Sequence, residues 1–177
     1  PKGKSENEIR RFCRAFMLAL HREIGIDHDV PAGDIGVGAR EIGYMFGMYK
    51  EIVGRDEGVL TGKNELFGGS CQRTEATGHG VVYMAEAAAR AHGFNLAEMT
   101  AVVSGSGNVA LYAARALLDR GTTVLTVSDR SGYLHKVDGF THADMREIET
   151  QKLVGARLAD IAITGAEYYE GRPWGVA

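Results

Sequence analysis

Cysteine and proline are scarce in this sequence. Its 177 residues include two cysteines and three prolines, and two cysteines are too few for the disulfide framework of a small secreted domain. Cys13 and Cys71 lack the spacing of metal ligands, so we expect free thiols in a reducing compartment. The low proline content argues against a proline-rich disordered segment.

The sequence also lacks a long apolar run and an excess of positive charge. No run approaches the roughly 18 apolar residues of a membrane-spanning helix, and no charged start followed by an apolar core marks a secretory signal. Lys and Arg number 20 against 23 Asp and Glu, for a net charge of -3, and the basic residues are scattered. We therefore expect a cytoplasmic protein with neither a membrane nor a nucleic acid as partner.

Glycine, by contrast, is abundant. The chain has 24 glycines, about twice the usual share of roughly 7%. Many backbone positions are therefore expected to need a positive φ or a close approach. Hydrophobic residues make up 45% and charged residues 24% of the chain, which is typical of a soluble globular protein and excludes disorder and collagen.

Two helices are predicted in the first part of the chain. Ser5 and Glu8 form a capping-box pattern ahead of apolar residues at helical spacing, which predicts a helix over 5–24. A second apolar helical pattern covers 39–53. Between them, turn formers alternate with small residues over 29–38, as in a short strand or a loop shaped around a ligand.

The second part of the chain alternates helices and strands, which predicts an α/β fold. Asp160–Ile163 reads as either a helical turn or a strand. The other predicted elements are a long Ala-rich helix from 73 to about 93, a strand over 100–104, a tight turn over 105–110, a helix over 111–120, a strand over 122–127 and a helix over 141–158.

Gly105, Gly107 and Ala110 form the pattern G-x-G-x-x-A between a predicted strand and a predicted helix. In dinucleotide-binding folds the first glycine permits the turn and the second lets the backbone approach a pyrophosphate, while the small residue allows close packing. The helix N-terminus supplies amides and a partial positive charge for the phosphates. A tight turn without a ligand is the alternative.

Asp129 follows the second predicted strand, 22 residues after Gly107, where the ribose of the adenosine half is expected. An acid at this place suggests NAD, whereas the flanking Ser128 and Arg130 are able to receive a 2′-phosphate. A solvated charge pair in a turn is the alternative.

Asp34 lies among small and apolar neighbours, so its carboxylate suits proton transfer if its loop lines a closing cleft. The residues alone favour a plainer role, either an Asx turn or a cap for the helix that begins near Ala39. The six histidines have no i,i+4 pairing, so no metal site is expected.

Six motifs in order along the chain resemble those of the glutamate dehydrogenases, and the resemblance covers essentially the whole sequence. The PAGDIGVG stretch, together with TGK and FGGS, is similar to the hexameric microbial type rather than to leucine, phenylalanine or valine dehydrogenase. The six motifs are Pro1–Ser5, Asp29–Gly38, Val59–Lys63, Phe67–Ser70, Arg73–Gly78 and Ser104–Val109.

The resemblance implies NAD(P)-dependent oxidative deamination of L-glutamate to 2-oxoglutarate and ammonia, and the reverse reaction, in a homohexamer. It divides the chain into the end of the substrate domain (1–72), a connecting helix (73–95) and the first β-α-β part of a Rossmann-like dinucleotide-binding domain (96–177).

The resemblance also assigns roles to single residues. Asp34 matches the catalytic aspartate that carries a proton to and from the amino or imino group. Substrate-contacting positions are matched by Gly33, Thr61 and Arg73. Thr77 and Asn108 match positions that contact the nicotinamide half of the cofactor. The full predicted set of cofactor-binding residues is Thr77, Gly105, Ser106, Gly107, Asn108, Val109, Ser128, Asp129, Arg130 and Lys152.

The cofactor expectation leans to NADP, with NAD as the alternative. Ser128–Gly132 resembles the Ser-Asp-x-Ser-Gly motif of NADP-preferring members, and Lys152 matches a basic residue on their following helix. A second expected basic residue is not clearly present in the sequence.

The sequence departs from the family pattern at its start. The family's activating lysine lies just upstream of the motif at Pro1–Ser5, so we expect residues 1–177 to be an internal, inactive piece of about 40% of such an enzyme. A non-catalytic dinucleotide-binding module and an oligomerisation module are the competing interpretations.

Overall fold

The computed structural model of this chain describes residues 3–71 and 74–176. The chain divides into two compact units, Pro1–Gln72 and Arg73–Ala177, and each unit is described by itself. The first is helical in its described part, and the second combines helices with a small mixed sheet, so the predicted α/β class is confirmed.

The first unit is built on two α-helices, α1 (Glu6–Leu20) and α2 (Ala39–Val53). The predicted capping box is present at α1, because Ser5 Oγ accepts from the Glu8 amide at 3.3 Å and the Glu8 carboxylate accepts from the Ser5 amide at 2.9 Å. The prediction of a helix to residue 24 is wrong, because α1 ends at Leu20. A turn follows in which the amide of Gly25 donates to the carbonyl of His28.

The bounds of α2 agree with the prediction, and Gly54 ends it in the left-handed conformation at φ 75°. The segment 29–38 is a loop, not a strand. The helices α1 and α2 pack against each other, and the unit has a 3₁₀ turn at Glu65–Phe67. Its core consists of Ile9, Cys13, Met17, Ile24, Ile42, Met45, Phe46, Tyr49, Val59 and Leu60.

The second unit begins with the Ala-rich helix and then builds a sheet. Its helices are α3 (Ala76–Ala91), α4 (Asn108–Leu118) and α5 (His142–Leu153). Its strands are β1 (Thr100–Val102), β2 (Thr123–Ser128), β3 (Gly132–His135) and β4 (Glu167–Glu170). Short 3₁₀ turns lie at Leu96–Glu98, Leu158–Asp160 and Pro173–Gly175.

The sheet has the strand order β1-β2-β3-β4. The strands β1 and β2 are parallel and joined through α4, which is the predicted β-α-β unit. The strands β3 and β4 were not predicted; β3 pairs antiparallel with both β2 and β4, and Gly132 lies opposite Glu170. Of the two readings of Asp160–Ile163, the strand is wrong, because a 3₁₀ turn ends at Asp160 and the following residues belong to no strand.

Several helix bounds in this unit also differ from prediction: α3 starts at Ala76 rather than 73, and α4 ends at Leu118 rather than 120. The helix α4 starts at Asn108 rather than 111, because Gly107 is its N-cap. The helix α5 ends at Leu153 rather than 158, and Gly155 follows with φ 86°, a conformation that favours glycine over other residues. No helix of the described residues is long and apolar enough to cross a membrane.

The most extensive packing between helices in the second unit is that of α3 against α4. A Cβ on Gly78 would lie 2.6 Å from the Cβ of Tyr112 and 2.8 Å from the amide nitrogen of Ala113. Only glycine therefore permits this closeness of the two helices. The main core of the unit lies between α4, α5 and the sheet and includes Leu111, Ala114, Val124, Val127, Leu134, Met145, Ile148 and Leu158.

Candidate functional site

Asp34 lies in a tight turn between α1 and α2. The amide of Val37 donates to the Asp34 carbonyl at 2.8 Å, and Gly36 takes φ 77° inside the turn. A Cβ on Gly33 would lie 2.6 Å from the Val37 carbonyl oxygen, so the residue before Asp34 has to be glycine. The loop therefore holds the backbone of Asp34 in one place.

The Asp34 side chain fills neither of the plainer roles that the sequence suggested. The cap of α2 is Gly38, and the bond to the Asp34 carboxylate comes from the adjacent amide of Ile35 at 2.7 Å. An Asx turn requires the amide two residues on. Among the described residues no other donor reaches this exposed carboxylate, so one of its oxygens is free to take a proton.

Thr61 is joined to the same loop. Its amide donates to the carbonyl of Pro31 at 2.8 Å, and its side chain is exposed. The first unit therefore brings together Gly33, Asp34 and Thr61, which are three of the four residues expected at the substrate. Arg73, the fourth, lies outside the described residues.

Lys63 fixes the segment that carries Thr61. Its side chain is buried, and Nζ donates to the carbonyl oxygens of Val59, at 2.8 Å, and Leu60. Leu60 has a positive φ of 64°, which is strained for a branched side chain. The ammonium also lies over the Phe46 ring, 5.4 Å from its centroid. These contacts stabilise the strained backbone just before Thr61.

The glycine turn of the second unit joins β1 to α4. Gly105 has φ 124°, and a Cβ there would lie 3.0 Å from the Cβ of Ala110, so both small residues are required by the turn itself. The Gly105 amide donates to Ser128 Oγ at 2.9 Å, and the Ser128 amide donates to the Gly105 carbonyl at 3.0 Å. The buried Ser128 thus ties the turn to the end of β2.

Gly107 differs from Gly105, because nothing in the fold requires it. Its backbone at φ -91° is open to any residue, and no atom lies within 4 Å of the place where its Cβ would be. A side chain there would instead fill the space in front of the N-terminus of α4. Four free amides and the positive end of the helix dipole face such a space at a helix start, which makes it a cradle for an anion.

Thr77 and Asn108 lie on helices that are held together. Thr77 is exposed in the first turn of α3, and Asn108 opens α4 and donates from Nδ2 to the carbonyl of Thr74 at 2.7 Å. The close packing at Gly78 keeps these two helix starts adjacent. The other two residues predicted at the turn differ in exposure: Ser106 is buried and Val109 is exposed.

The Asp129 carboxylate accepts hydrogen bonds from the backbone around it. One carboxylate oxygen accepts from the amides of Ser131, at 2.8 Å, and Gly132, at 3.3 Å, and the other accepts from the amide of Leu158 at 3.2 Å. Burial raises the pKa of Asp129, but these three amide bonds and the nearby charge of Lys152 bring the pKa below its ordinary value. Asp129 is therefore ionised, and it fixes the turn between β2 and β3.

A cavity of about 460 Å³ opens at the carboxyl ends of β1 and β2. Residues 104–105, 128–130 and 171–173 line it. Ser128, Asp129 and Arg130 therefore share one cavity with Gly105 of the glycine turn; their contact with the adenosine half of a dinucleotide stays a prediction. Lys152 does not line it. No group of His, Cys, Asp and Glu among residues 3–71 and 74–176 is arranged to hold a metal.

Known proteins with similar sequences decide the family. The profile of the Glutamate/Leucine/Phenylalanine/Valine dehydrogenases matches residues 68–177, and that of the Glu/Leu/Phe/Val dehydrogenase dimerisation domain matches residues 1–51. The chain belongs to the glutamate/leucine/phenylalanine/valine dehydrogenase family.

Individual members of the family are similar over nearly the whole chain. The NADP-specific glutamate dehydrogenase of Escherichia coli is 49% identical over 98% of this chain, and the NAD(P)-specific enzyme of Xylanibacter ruminicola is 48% identical over 99%. The crystal structure of Plasmodium falciparum glutamate dehydrogenase superimposes with a TM-score of 0.89 at 48% identity over 99% of the chain. The chain spans about 40% of the length of these relatives.

The sequence did not reveal two residues that bear on the candidate sites, Lys63 and Arg172. Lys63 received no role of its own from the sequence, because nothing in the sequence shows that its side chain turns back onto Val59 and Leu60. Arg172 lines the cavity beside Arg130, although 42 residues separate them along the chain. Only the antiparallel β3 and β4 bring it there.

Proposed function

We propose that this chain is part of an NADP-dependent glutamate dehydrogenase, which converts L-glutamate to 2-oxoglutarate and ammonia and runs the reverse reaction. The names of the similar proteins support the substrate and the cofactor. The observation that carries a catalytic role is Asp34, whose carboxylate neither caps α2 nor forms an Asx turn and keeps an oxygen free.

In this proposal Asp34 exchanges a proton with the amino or imino nitrogen of the substrate. A carboxylate held on a rigid backbone and free at one oxygen suits a general acid or base. Gly33 and Thr61 contact the substrate beside it, since the bond from the Thr61 amide to Pro31 holds both at one loop. Arg73 belongs to the same proposed set.

The residues of the second unit fit a dinucleotide. The open space at Gly107 supports access of a pyrophosphate to the N-terminus of α4, and the amides of Ser106, Asn108 and Val109 are proposed to receive it. Thr77 and the Asn108 side chain are proposed to contact the nicotinamide half, and Ser128, Asp129, Arg130 and Lys152 to surround the adenosine half. When bound, NADP supplies a hydride acceptor for the substrate carbon.

The domain assignment and the assembly are parts of the same proposal. Residues 1–72 end the substrate domain, 73–95 form the connecting helix, and 96–177 begin the cofactor domain. The match to a dimerisation domain supports a homo-oligomer, for which we propose the hexamer implied by the family resemblance. The free thiols Cys13 and Cys71 support a reducing compartment, which we propose to be the cytoplasm.

The test is Asp34→Asn in the whole protein. Asparagine keeps the bond from the Ile35 amide but cannot carry the proton, so we expect kcat for glutamate oxidation to fall by about 100- to 10,000-fold with an unchanged circular dichroism spectrum. Asp27→Asn, at an exposed loop acid of the same unit, is the matched control and should leave kcat within about twofold. A near wild-type kcat in Asp34→Asn would return Asp34 to the status of an ordinary loop residue.

A further inference from the structure

The cavity at the carboxyl ends of β1 and β2 has two arginines and one acid among its lining residues. Arg130 and Arg172 are both exposed to it, and neither forms an ion pair within the described part of the chain. An unpaired guanidinium presents five N–H donors in a planar fork that matches phosphate oxygens. Two such groups at one cavity form a site for a strongly charged anion.

The single acid of the cavity does not neutralise the pair. Both oxygens of Asp129 accept bonds from backbone amides, from Ser131 and Gly132 on one side and from Leu158 on the other. Its carboxylate is therefore turned to the backbone, while the two guanidinium groups make no such bonds to residues 3–71 or 74–176. One negative charge against two positive charges leaves the cavity lining with a net charge of +1.

Arg172 is held in place by the strand pairing. The pair of Gly132 with Glu170 brings the end of β4 to the β2–β3 turn, and the Gly171 amide donates to the Ser131 carbonyl at 3.1 Å. Gly171 takes φ 98° and Pro173 is buried. Arg172 thus lies between two fixed neighbours, and only its side chain has freedom to reach into the cavity.

We propose that Arg172, together with Arg130, binds the 2′-phosphate of NADP and so sets the cofactor preference. This inference rests on the proposed function and on the two arginines that line one cavity. The 2′-phosphate is the group that meets the end of the second strand, whereas the pyrophosphate meets the helix N-terminus at Gly107. A fork-to-fork contact from arginine is strong and directional for a phosphate.

The experiment measures nucleotide binding to the whole protein, without turnover. Dissociation constants of 2′,5′-ADP, 5′-AMP, NADP and NAD are obtained by isothermal titration calorimetry at one ionic strength, for wild type, Arg172→Ala and Arg172→Lys. We expect Arg172→Ala to weaken 2′,5′-ADP and NADP by about 10- to 100-fold and to leave 5′-AMP and NAD within about twofold. Arg172→Lys should fall between, because it keeps the charge but loses the fork.

Arg146→Ala is the matched control, since Arg146 is exposed on α5 and does not line the cavity; it should change none of the four constants. Equal weakening of the phosphorylated and unphosphorylated nucleotides would overturn the inference, because the contact would then be to a group that both share. Unchanged binding of 2′,5′-ADP to Arg172→Ala would overturn it too.

The failure of the proposed function looks different. A wild-type protein that binds none of the four nucleotides overturns both statements. A wild-type protein that oxidises glutamate with NADP while Arg172→Ala binds 2′,5′-ADP normally overturns only the role of Arg172. If Arg172→Ala loses its native circular dichroism spectrum, Arg172→Lys decides, because a retained fold with unaltered 2′,5′-ADP affinity contradicts the proposal.

Discussion

The contact of α3 with α4 at Gly78 allows a sharp test of the packing in the second unit. In Gly78→Ala the added methyl group would meet the Cβ of Tyr112 at 2.6 Å, the amide nitrogen of Ala113 at 2.8 Å and the carbonyl oxygen of Val109 at 2.8 Å. None of these atoms is the end of a flexible side chain, so the helices themselves have to separate. Gly80, two residues further along α3, has no atom within 4 Å of its Cβ position.

The two substitutions therefore differ in sign. Replacing a helical glycine by alanine gains about 0.5–1 kcal/mol in backbone entropy, whereas overpacking costs about 1–3 kcal/mol. With three immobile contacts we expect the upper end of that cost, so Gly78→Ala should destabilise the unit by about 2 kcal/mol net. Gly80→Ala should stabilise it by about 0.5–1 kcal/mol.

Hydrogen–deuterium exchange of peptides that cover α3 and α4 measures this local difference. A loss of about 2 kcal/mol corresponds to about 30-fold faster amide exchange in Gly78→Ala, while exchange in Gly80→Ala should slow by a few fold. Equal effects of the two substitutions would refute the argument that the helices touch at Gly78. Cofactor affinity should fall in Gly78→Ala alone, because Thr77 and Asn108 would move apart.

Two further predictions concern charged groups inside each unit. Burial raises the pKa of Asp144, but hydrogen bonds from Lys136 and the backbone bring it below the ordinary value. Asp144→Asn should therefore lower the melting temperature at pH 7. The difference in melting temperature between the variant and wild type should shrink as the pH falls below about 4, because the wild-type carboxylate is then protonated and therefore uncharged as well. A difference that stays constant with pH would contradict this. Lys63→Met should lower the free energy of unfolding in urea by about 1–3 kcal/mol, because two buried carbonyls lose a charged donor. The control Lys50→Met breaks an exposed ion pair and should lower it by less than about 1 kcal/mol. Equal losses in the two variants would contradict the argument.

The helices that sequence reasoning predicted are those with local signals. Ser5 and Glu8 form their capping box within four residues, and Gly54 ends α2 in the left-handed conformation that glycine favours. The unpredicted strands lack such signals. The sequence of β4 is Glu-Tyr-Tyr-Glu, with three of its four residues exposed, so no alternation of buried and exposed residues marks it.

The candidate sites divide in the same way. The glycine turn at Gly105 and Gly107 was predictable because a strand, a turn and a helix follow one another along the chain. The backbone role of Asp129 was not, since the amide of Leu158 reaches it from 29 residues away. A family resemblance supplied the candidate role of Asp34, which composition and spacing alone had ranked below a turn or a cap.

The chain leaves the cavity at the carboxyl ends of β1 and β2 at Ser131 and returns to it at Gly171, where the two residues are hydrogen-bonded. The residues between them form one segment whose two ends are held together by the antiparallel strands β3 and β4. A substitution on the exposed part of α5, such as at Arg146, is therefore expected to leave the positions of Ser131 and Gly171 unchanged. The side chains that line the cavity and those on this exposed surface can be altered separately.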